Sequence, residues 1–254
     1  MRQHSFTLGL IAAFLMIYSG SAAAETAITN VQELQNINLN PGEQYYLAND
    51  INATETAVWN NGDGFDPIAD FSGTLDGKGR TIYGLTINRP TENKVGLFGA
   101  VVNEGHVKDL HLYGAKITGN SKVGPVAGYL FLANVANIGV HQSQVTGSTR
   151  VGGFIGESYN GTGIDRAFVD NVSVSGITEV GGLVGRTWDG TVNTISRASI
   201  KADITGTGNL VGGIAGYTKS SDILESYVEG TVNGNMGVGG IAGYTIENAG
   251  IHNC

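Results

Sequence analysis

Val180-Gly-Gly-Leu-Val-Gly185 is one of six similar glycine-rich segments that decide how this chain folds. The segments begin at Val95, Val123, Val151, Val180, Val211 and Val238, with spacings of 28, 28, 29, 31 and 27 residues. A unit of this length cannot bury its apolar face alone and must stack on its neighbours. We therefore predict a structural role for the motif glycines, which are Gly96, Gly99, Gly124, Gly128, Gly152, Gly153, Gly156, Gly181, Gly182, Gly185, Gly212, Gly213, Gly216, Gly239, Gly240 and Gly243.

Each repeat also contains a strand pattern, seen in Ile164-x-x-Ala167-x-Val169-x-x-Val172-x-Val174-x-Gly176. Alternation of β-branched residues with a period of two is typical of a half-buried strand. The sequence predicts an all-β fold, a parallel β-helix (β-solenoid) with about 28 residues per turn and about 4.8 Å between stacked strands. The paired glycines suit positions that need a positive φ or that leave no room for a Cβ.

Three zones follow from this organisation. Residues 1–24 are predicted to be a cleaved signal peptide, because an apolar run from Phe6 to Ile17 precedes the small residues of an export cleavage site. Residues 25–94 are predicted to form an N-terminal cap and the first turns, with a short helix capped by Thr29 or Asn30 and by Glu33. Residues 95–254 form the repeat array.

The last residues, 251–254, begin the strand pattern again, so we expect the sequence to be cut within a repeat. An open solenoid end exposes strand edges, which predicts self-association there. Cys254 falls in the column of Ala167 and Ala198 and is predicted to be a small buried residue. A single cysteine excludes a disulfide within the chain.

Charge and hydropathy limit the classes of partner and the cellular location that the sequence allows. The net charge is −8 and the basic residues are scattered, which argues against nucleic acid and anionic membrane surfaces. After the predicted signal peptide no further apolar stretch is long enough to span a membrane. The sequence predicts a protein that is secreted or displayed at the cell surface.

Gly182-Leu-Val-Gly185 and Gly96-Leu-Phe-Gly99 resemble the motif of the GLUG-repeat family of bacterial extracellular proteins. The stretch Trp59-Asn-x-Gly-x-Gly-Phe65 is similar to the block that precedes such repeats. This resemblance implies a right-handed β-helix in surface or secreted proteins of the filamentous haemagglutinin or adhesin type. The family motif also occurs upstream of the catalytic part of some immunoglobulin-A metallopeptidases, and it carries no catalytic residues.

The residues give weak support to enzyme chemistry. His106, His111 and His141 belong to no His-Glu-x-x-His motif and are interpreted as scattered polar surface. The acidic residues of the repeats do not recur at one position, so we expect no catalytic site and no cofactor. Four aspartates are weak candidates for calcium ligands, and turn chemistry is the favoured explanation for them; they are Asp63, Asp66, Asp70 and Asp76.

Tyr129, Tyr217 and Tyr244 each follow a motif glycine and are predicted to share one column, where aromatic rings could contact a glycan or a protein. Glu157 and Arg186 interrupt this column, so isolated surface tyrosines are the favoured explanation. The sequence thus predicts a non-enzymatic scaffold for adhesion or domain display, with a host-cell or extracellular-matrix protein or glycan as partner. Two alternatives remain open. One is a carbohydrate-active enzyme or carbohydrate-binding module on a β-helix, and the other is the accessory region of a larger secreted metallopeptidase.

Overall fold

The computed structural model describes residues 24–188 and 193–254. Within these residues the chain forms a parallel β-solenoid of about 7 turns with about 29 residues per turn and a short N-terminal helix. Val123 pairs with Val151 and Val180 pairs with Val211, so the motif valines stack in one column. The predicted fold is confirmed. Residues 1–23 of the predicted signal peptide lie outside the described residues.

The N-terminal cap contains the helix α1, Val31–Asn36, which runs into a 3-10 helix, Ile37–Leu39. The Asn30 side chain accepts a hydrogen bond from the Glu33 backbone N–H at 2.9 Å. The Glu33 carboxylate in turn accepts one from the Thr29 backbone N–H at 2.7 Å, which satisfies free helix donors and holds the pKa of Glu33 below its usual range. The prediction that Asn30 and Glu33 cap this helix is confirmed. A second 3-10 segment covers Thr54–Gly62.

The strands, numbered in chain order, form three sheets within the described residues. Sheet 1 has 15 strands. They are β1 (Thr26–Ile28), β2 (Gln44–Leu47), β3 (Ile51–Asn52), β4 (Thr74–Tyr83), β5 (Thr86–Asn88), β8 (His106–Tyr113), β9 (Lys116–Thr118), β12 (Asn134–His141), β13 (Gln144–Thr146), β16 (Gly163–Gly176), β19 (Asn193–Ser196), β20 (Ser199–Gly206), β23 (Ser221–Leu224), β24 (Tyr227–Asn233) and β27 (Gly250–His252).

Sheets 2 and 3 have 6 strands each. Sheet 2 contains β6 (Asn93–Val95), β10 (Ser121–Val123), β14 (Thr149–Gly152), β17 (Thr178–Gly181), β21 (Asn209–Gly212) and β25 (Met236–Gly239). Sheet 3 contains β7 (Phe98–Val102), β11 (Ala127–Phe131), β15 (Ile155–Tyr159), β18 (Val184–Trp188), β22 (Ala215–Lys219) and β26 (Ala242–Ile246).

The core lies inside the coil and is built from stacked apolar columns. In β20 exposed and buried residues alternate without exception, as a strand with one face against the core requires. Phe154, Leu183 and Ile214 come from consecutive motifs and are all at most 1% exposed. Since these side chains repeat at one position, each turn supplies the surface that buries the next turn's core residues.

The motif glycines are needed for close packing and not for a positive φ. A Cβ on Gly182 would lie 2.2 Å from the carbonyl oxygen of Gly213, and a Cβ on Gly153 would lie 2.2 Å from that of Gly182. In the described residues every glycine with a positive φ lies outside the six motifs. Gly237 comes nearest to one, since it lies just before a motif valine. Of the two explanations that the sequence left open, the structure selects the absence of room for a Cβ.

The prediction that Cys254 is buried is wrong. The Sγ of Cys254 lies 3.3 Å from the carbonyl oxygen of His252, two residues before it. The Ser226 hydroxyl makes the equivalent contact with the carbonyl oxygen of Leu224, at 2.8 Å, so Cys254 occupies the predicted column. However, Cys254 is exposed, because no strand of the described residues covers it. Among the described residues no helix is both long and apolar enough to cross a membrane.

Candidate functional site

The outward face of sheet 3 carries the residues that the sequence singled out for partner contact. Parallel pairing places Tyr129, Glu157, Arg186, Tyr217 and Tyr244 opposite one another in consecutive turns, so the predicted column is correct. The rings of Tyr217 and Tyr244 are 5.6 Å apart. Tyr129 is separated from them by Glu157 and Arg186. The structure therefore brings two of the three predicted tyrosines together.

A second outward column lies two residues further along each strand, and the sequence analysis did not predict it. It contains Phe131, Tyr159 and Trp188, which register pairing places in neighbouring turns. Phe131 and Tyr159 stack with ring centroids 5.8 Å apart and 19° between their planes. Trp188 lies 5.6 Å from the Tyr217 ring and so joins the two columns. The period-two alternation after each motif was the signal that could have revealed this column.

We call these two columns, with Lys219, the sheet 3 strip. Its members in the described residues are Tyr129, Phe131, Glu157, Tyr159, Arg186, Trp188, Tyr217, Lys219 and Tyr244. The Arg186 guanidinium carbon is 3.7 Å from the Trp188 ring centroid and 4.8 Å from that of Tyr217. The Lys219 ammonium is 4.6 Å from the Trp188 ring. Cations therefore contact the aromatic rings along the strip.

Side chains on the neighbouring sheet 2 strands extend this charge pattern. Lys94, Lys122, Arg150 and Glu179 each precede a motif valine and have left-handed backbone conformations with φ between 55° and 59°. Lys122 Nζ is 4.3 Å from the Tyr129 ring centroid and 3.1 Å from the Glu157 carboxylate. Arg150 bridges Glu157 and Glu179, at 2.9 and 3.2 Å. Burial, and then the charge of Glu157, raises the pKa of Tyr129 to about 12, so its phenol stays neutral.

The four candidate calcium ligands do not converge. Asp76 is buried and forms ion pairs with Lys78 and Lys108 at 2.9 and 3.0 Å. Asp66 lies 3.2 Å from Arg89, while Asp63 and Asp70 are exposed. Within residues 24–188 and 193–254 no three His, Cys, Asp or Glu side chains are grouped to hold a metal ion. Calcium binding by this segment stays an untested prediction.

The interpretation of the histidines as scattered polar surface is wrong for two of them. His141 Nε2 lies 3.4 Å from His111 Nδ1, and His141 Nδ1 lies 3.8 Å from the Asp170 carboxylate. Gly139 stands beside His111 in the pairing, and a Cβ there would lie 2.4 and 2.5 Å from those two ring nitrogens. Burial, and then the neighbouring His141, lowers the pKa of His111.

One shallow groove on sheet 1 brings together acidic residues from two turns. It has a volume of about 250 Å³ and is lined by Lys201, Asp203, Glu229 and neighbouring residues. Lys201 pairs in register with Glu229, and the Asp203 carboxylate accepts a hydrogen bond from Thr231 at 2.6 Å. This groove is the feature that a carbohydrate-active enzyme would use, because such chemistry needs two carboxylates on one face.

Comparison with known proteins places the chain among β-solenoids without showing its family. No family model matches it. It is 38% identical over 119 residues to halomucin of Haloquadratum walsbyi, an alignment that covers 44% of this chain and 1% of halomucin. It is 37% identical over 97 residues to a protein of Evansella cellulosilytica named as a Gly-rich membrane protein, covering 36% of this chain and 11% of that protein. The chain thus matches only a small part of each relative.

A solved structure gives the same picture of the fold. The crystal structure of a candidate immunoglobulin A1 protease from Bacteroides ovatus superposes with a TM-score of 0.70 and 21% identity, over 89% of this chain and 77% of that one. Likeness at this identity supports the fold alone, because one architecture hosts many unrelated activities. The chain is a β-solenoid protein similar in part to halomucin.

Proposed function

We propose that this chain is a non-enzymatic β-solenoid scaffold that acts outside the cell and contacts glycans or proteins through the sheet 3 strip. The observation that carries the proposal is the strip itself, an outward row of rings and cations that continues from Tyr129 to Tyr244. Tyrosine, tryptophan and arginine are the side chains that most often dominate protein contacts. A row spread over five turns suits many weak contacts distributed along a partner.

Charge favours an acidic partner. The strip and the sheet 2 side chains beside it contain five cations, Lys94, Lys122, Arg150, Arg186 and Lys219, and two carboxylates, Glu157 and Glu179, and the Glu247 carboxylate forms an ion pair with Lys219 at 3.2 Å. This face therefore carries net positive charge in a chain whose net charge is −8. We expect the contact to weaken as salt is raised, because salt screens the attraction between these charges and an acidic partner, with a Debye length of about 8 Å at physiological ionic strength.

Export and surface location rest on three supports. The sequence predicts a signal peptide, part of the chain is similar to halomucin, and the motif resembles GLUG repeats of bacterial extracellular proteins. Adhesion is the more specific role that we propose. A stacked coil suits this role because it offers a long surface, and adhesion does not need a deep cleft.

The test is binding of purified residues 25–254 to immobilised acidic and neutral glycans and to extracellular-matrix proteins. We expect the double variant Tyr217→Ala and Tyr244→Ala to lose at least about tenfold in affinity, consistent with two aromatic contacts. Tyr227→Ala is the matched control, because Tyr227 is 59% exposed but lies on sheet 1. Equal losses in both variants, or binding that both leave intact, contradict the proposed contact surface.

A second candidate function rests on the groove at Asp203 and Glu229, which supports a carbohydrate-active enzyme. Substituting Asp203→Asn and Glu229→Gln would abolish polysaccharide cleavage if this candidate is right. The accessory-region alternative rests on the resemblance of Gly182-Leu-Val-Gly185 to the motif found upstream of some immunoglobulin-A metallopeptidases.

A further inference from the structure

We propose that a hollow in the N-terminal cap, distinct from the sheet 3 strip, binds a neutral oligosaccharide. The hollow has a volume of about 510 Å³ and opens to solvent between α1, the 3-10 helix after it and the segment Thr54–Gly62. Its size falls in the range of small-molecule sites, about 300–1,000 Å³. Because it belongs to the cap, it does not depend on the repeats or on the proposed scaffold contact.

An indole ring forms the apolar wall of this hollow. Trp59 stacks on Phe65 with ring centroids 6.4 Å apart and 19° between the planes, and it packs against the core. The same side chain lines the hollow, so core packing fixes the ring while part of it stays available to a ligand. A rigid aromatic surface of this kind stacks on the apolar face of a sugar ring at little cost in conformational entropy.

Most of the remaining lining is made of carboxamides, and Leu39 and Asp66 complete it. Gln35 and Asn38 hold the cap to the segment that follows: Gln35 both donates to the Asp66 carbonyl and accepts from the Asp66 N–H, at 2.8 Å each, and Asn38 accepts from the Ala69 N–H at 2.8 Å. Their contacts make the hollow rigid. Neither residue is therefore a ligand contact in this proposal.

The remaining carboxamides keep hydrogen-bonding capacity. Gln32 donates to Asn36 at 3.3 Å and Asn60 donates to the Gly64 carbonyl at 2.7 Å. In the part of the chain that the structure describes, the Gln32 Oε1, the Asn36 Nδ2 and the Asn60 Oδ1 are left to bind other groups. An amide offers acceptors and donors side by side, which matches the neighbouring hydroxyls of a sugar.

The charge of the lining favours a neutral ligand. Asp66 is the sole ionisable residue among those that line the hollow, and its carboxylate is 3.2 Å from Arg89. Among the described residues no lysine or arginine lines the hollow, so no cation of the lining would compensate the charge of an acidic sugar. An uncharged peptide is disfavoured because none of the described lining residues belongs to a strand, so the hollow offers no strand edge for a peptide backbone to extend.

Fluorescence tests this proposal, because the chain has two tryptophans, Trp59 and Trp188. In Trp188→Phe, Trp59 is the only tryptophan, and its emission is titrated with cellotetraose, maltotetraose, mannotetraose and xylotetraose. The comparison probes are tri-galacturonate and N-acetyl-trialanine amide. We expect at least one neutral oligosaccharide to change the emission in a saturable way, and the comparison probes to leave it unchanged.

The variants Gln32→Ala and Asn36→Ala, made in the same background, separate binding at the hollow from other binding. Both side chains are exposed, so the fold should tolerate their removal. Each substitution should raise the Kd about three- to tenfold, the value of one or two hydrogen bonds. The exposed Gln144→Ala on sheet 1 is the control and should not change it. No saturable response to any neutral probe, a response to a comparison probe alone, or a Kd unaffected by both variants overturns the proposal.

Discussion

His141 Nε2 and His111 Nδ1 lie 3.4 Å apart, although the two residues are not partners in the strand register. His111 pairs with Gly139, and His141 pairs with Tyr113. The rings meet across the register, and the space between them is open because residue 139 has no side chain. With Asp170 next to His141, the three residues form a polar chain on sheet 1.

The contact between His111 and His141 predicts that the free energy of unfolding decreases on mild acidification. Burial and His141 lower the pKa of His111, so the unfolded chain binds the proton more readily than the folded chain does. The stabilisation is complete above about pH 6.5 and is lost as pH falls from there through the lowered pKa. Urea unfolding between pH 7.5 and 5 should show a smaller decrease in the free energy of unfolding for His111→Asn than for wild type.

His252→Asn is the control, because that histidine is exposed. It should leave the pH dependence of the wild-type chain unchanged. If His111→Asn and wild type lose stability in parallel between pH 7.5 and 5, the His111 imidazole is not the source of the effect.

A second prediction concerns the close packing of the motif glycines. The Cβ of Gly182→Ala would lie 2.2 Å from the Gly213 carbonyl oxygen and 2.9 Å from an Ile200 methyl group. Overpacking of this kind costs about 1–3 kcal/mol, and more where backbone must move. We expect a loss in that range or above it in thermal or urea unfolding.

Gly240→Ala is its matched partner. Gly240 occupies the same place in the last motif, and nothing lies within 4 Å of a Cβ built there. Its substitution should change the free energy of unfolding by less than about 1 kcal/mol, and a small gain is compatible with a less flexible unfolded chain. Equal losses at Gly182 and Gly240 would show that backbone conformation, and not contact between turns, requires these glycines.

A third prediction concerns Asp76. Burial opposes ionisation, but hydrogen bonds and charges from Lys78 and Lys108 hold the pKa of the Asp76 carboxyl below its usual range. Asp76→Asn should cost about 1–2 kcal/mol at pH 7, an amount limited because both lysines are partly exposed. The difference from wild type should shrink below about pH 4, where the wild-type carboxylate is protonated.

Asp63→Asn tests whether the effect is specific to Asp76. Asp63 is exposed and lies in the same acidic segment, so its substitution should leave stability nearly unchanged. If the deficit of Asp76→Asn persists undiminished at pH 3, the ion pairs with the two lysines do not explain it.

Sequence alone predicts most of the fold because the solenoid is periodic. Once the motif valines are aligned, parallel pairing determines the register of the strands that follow them, so that aligning Val211 with Val238 places Tyr217 opposite Tyr244. Asn30 and Glu33 were also predictable, since capping depends on residues three or four apart.

What the sequence could not show depends on departures from that period. His111 and His141 are 30 residues apart and meet only because Gly139 leaves space, which column alignment does not reveal. The hollow beside Trp59 lies in the cap, where no repeat provides an alignment. For Cys254 the alignment predicted the correct column, but not its exposure, because a residue of that column is buried only where a neighbouring turn covers it.

The central claim, that this chain is a scaffold without catalytic activity, is tested most directly by one assay. Purified residues 25–254 are incubated with a panel of neutral and acidic polysaccharides, and new reducing ends and unsaturated uronates are measured beside retention of the protein on the polymer. The account predicts retention that depends on Tyr217 and Tyr244, with no product above the buffer blank. Product formed by the wild-type chain and abolished by Asp203→Asn or Glu229→Gln would contradict it and assign an enzyme to the groove on sheet 1.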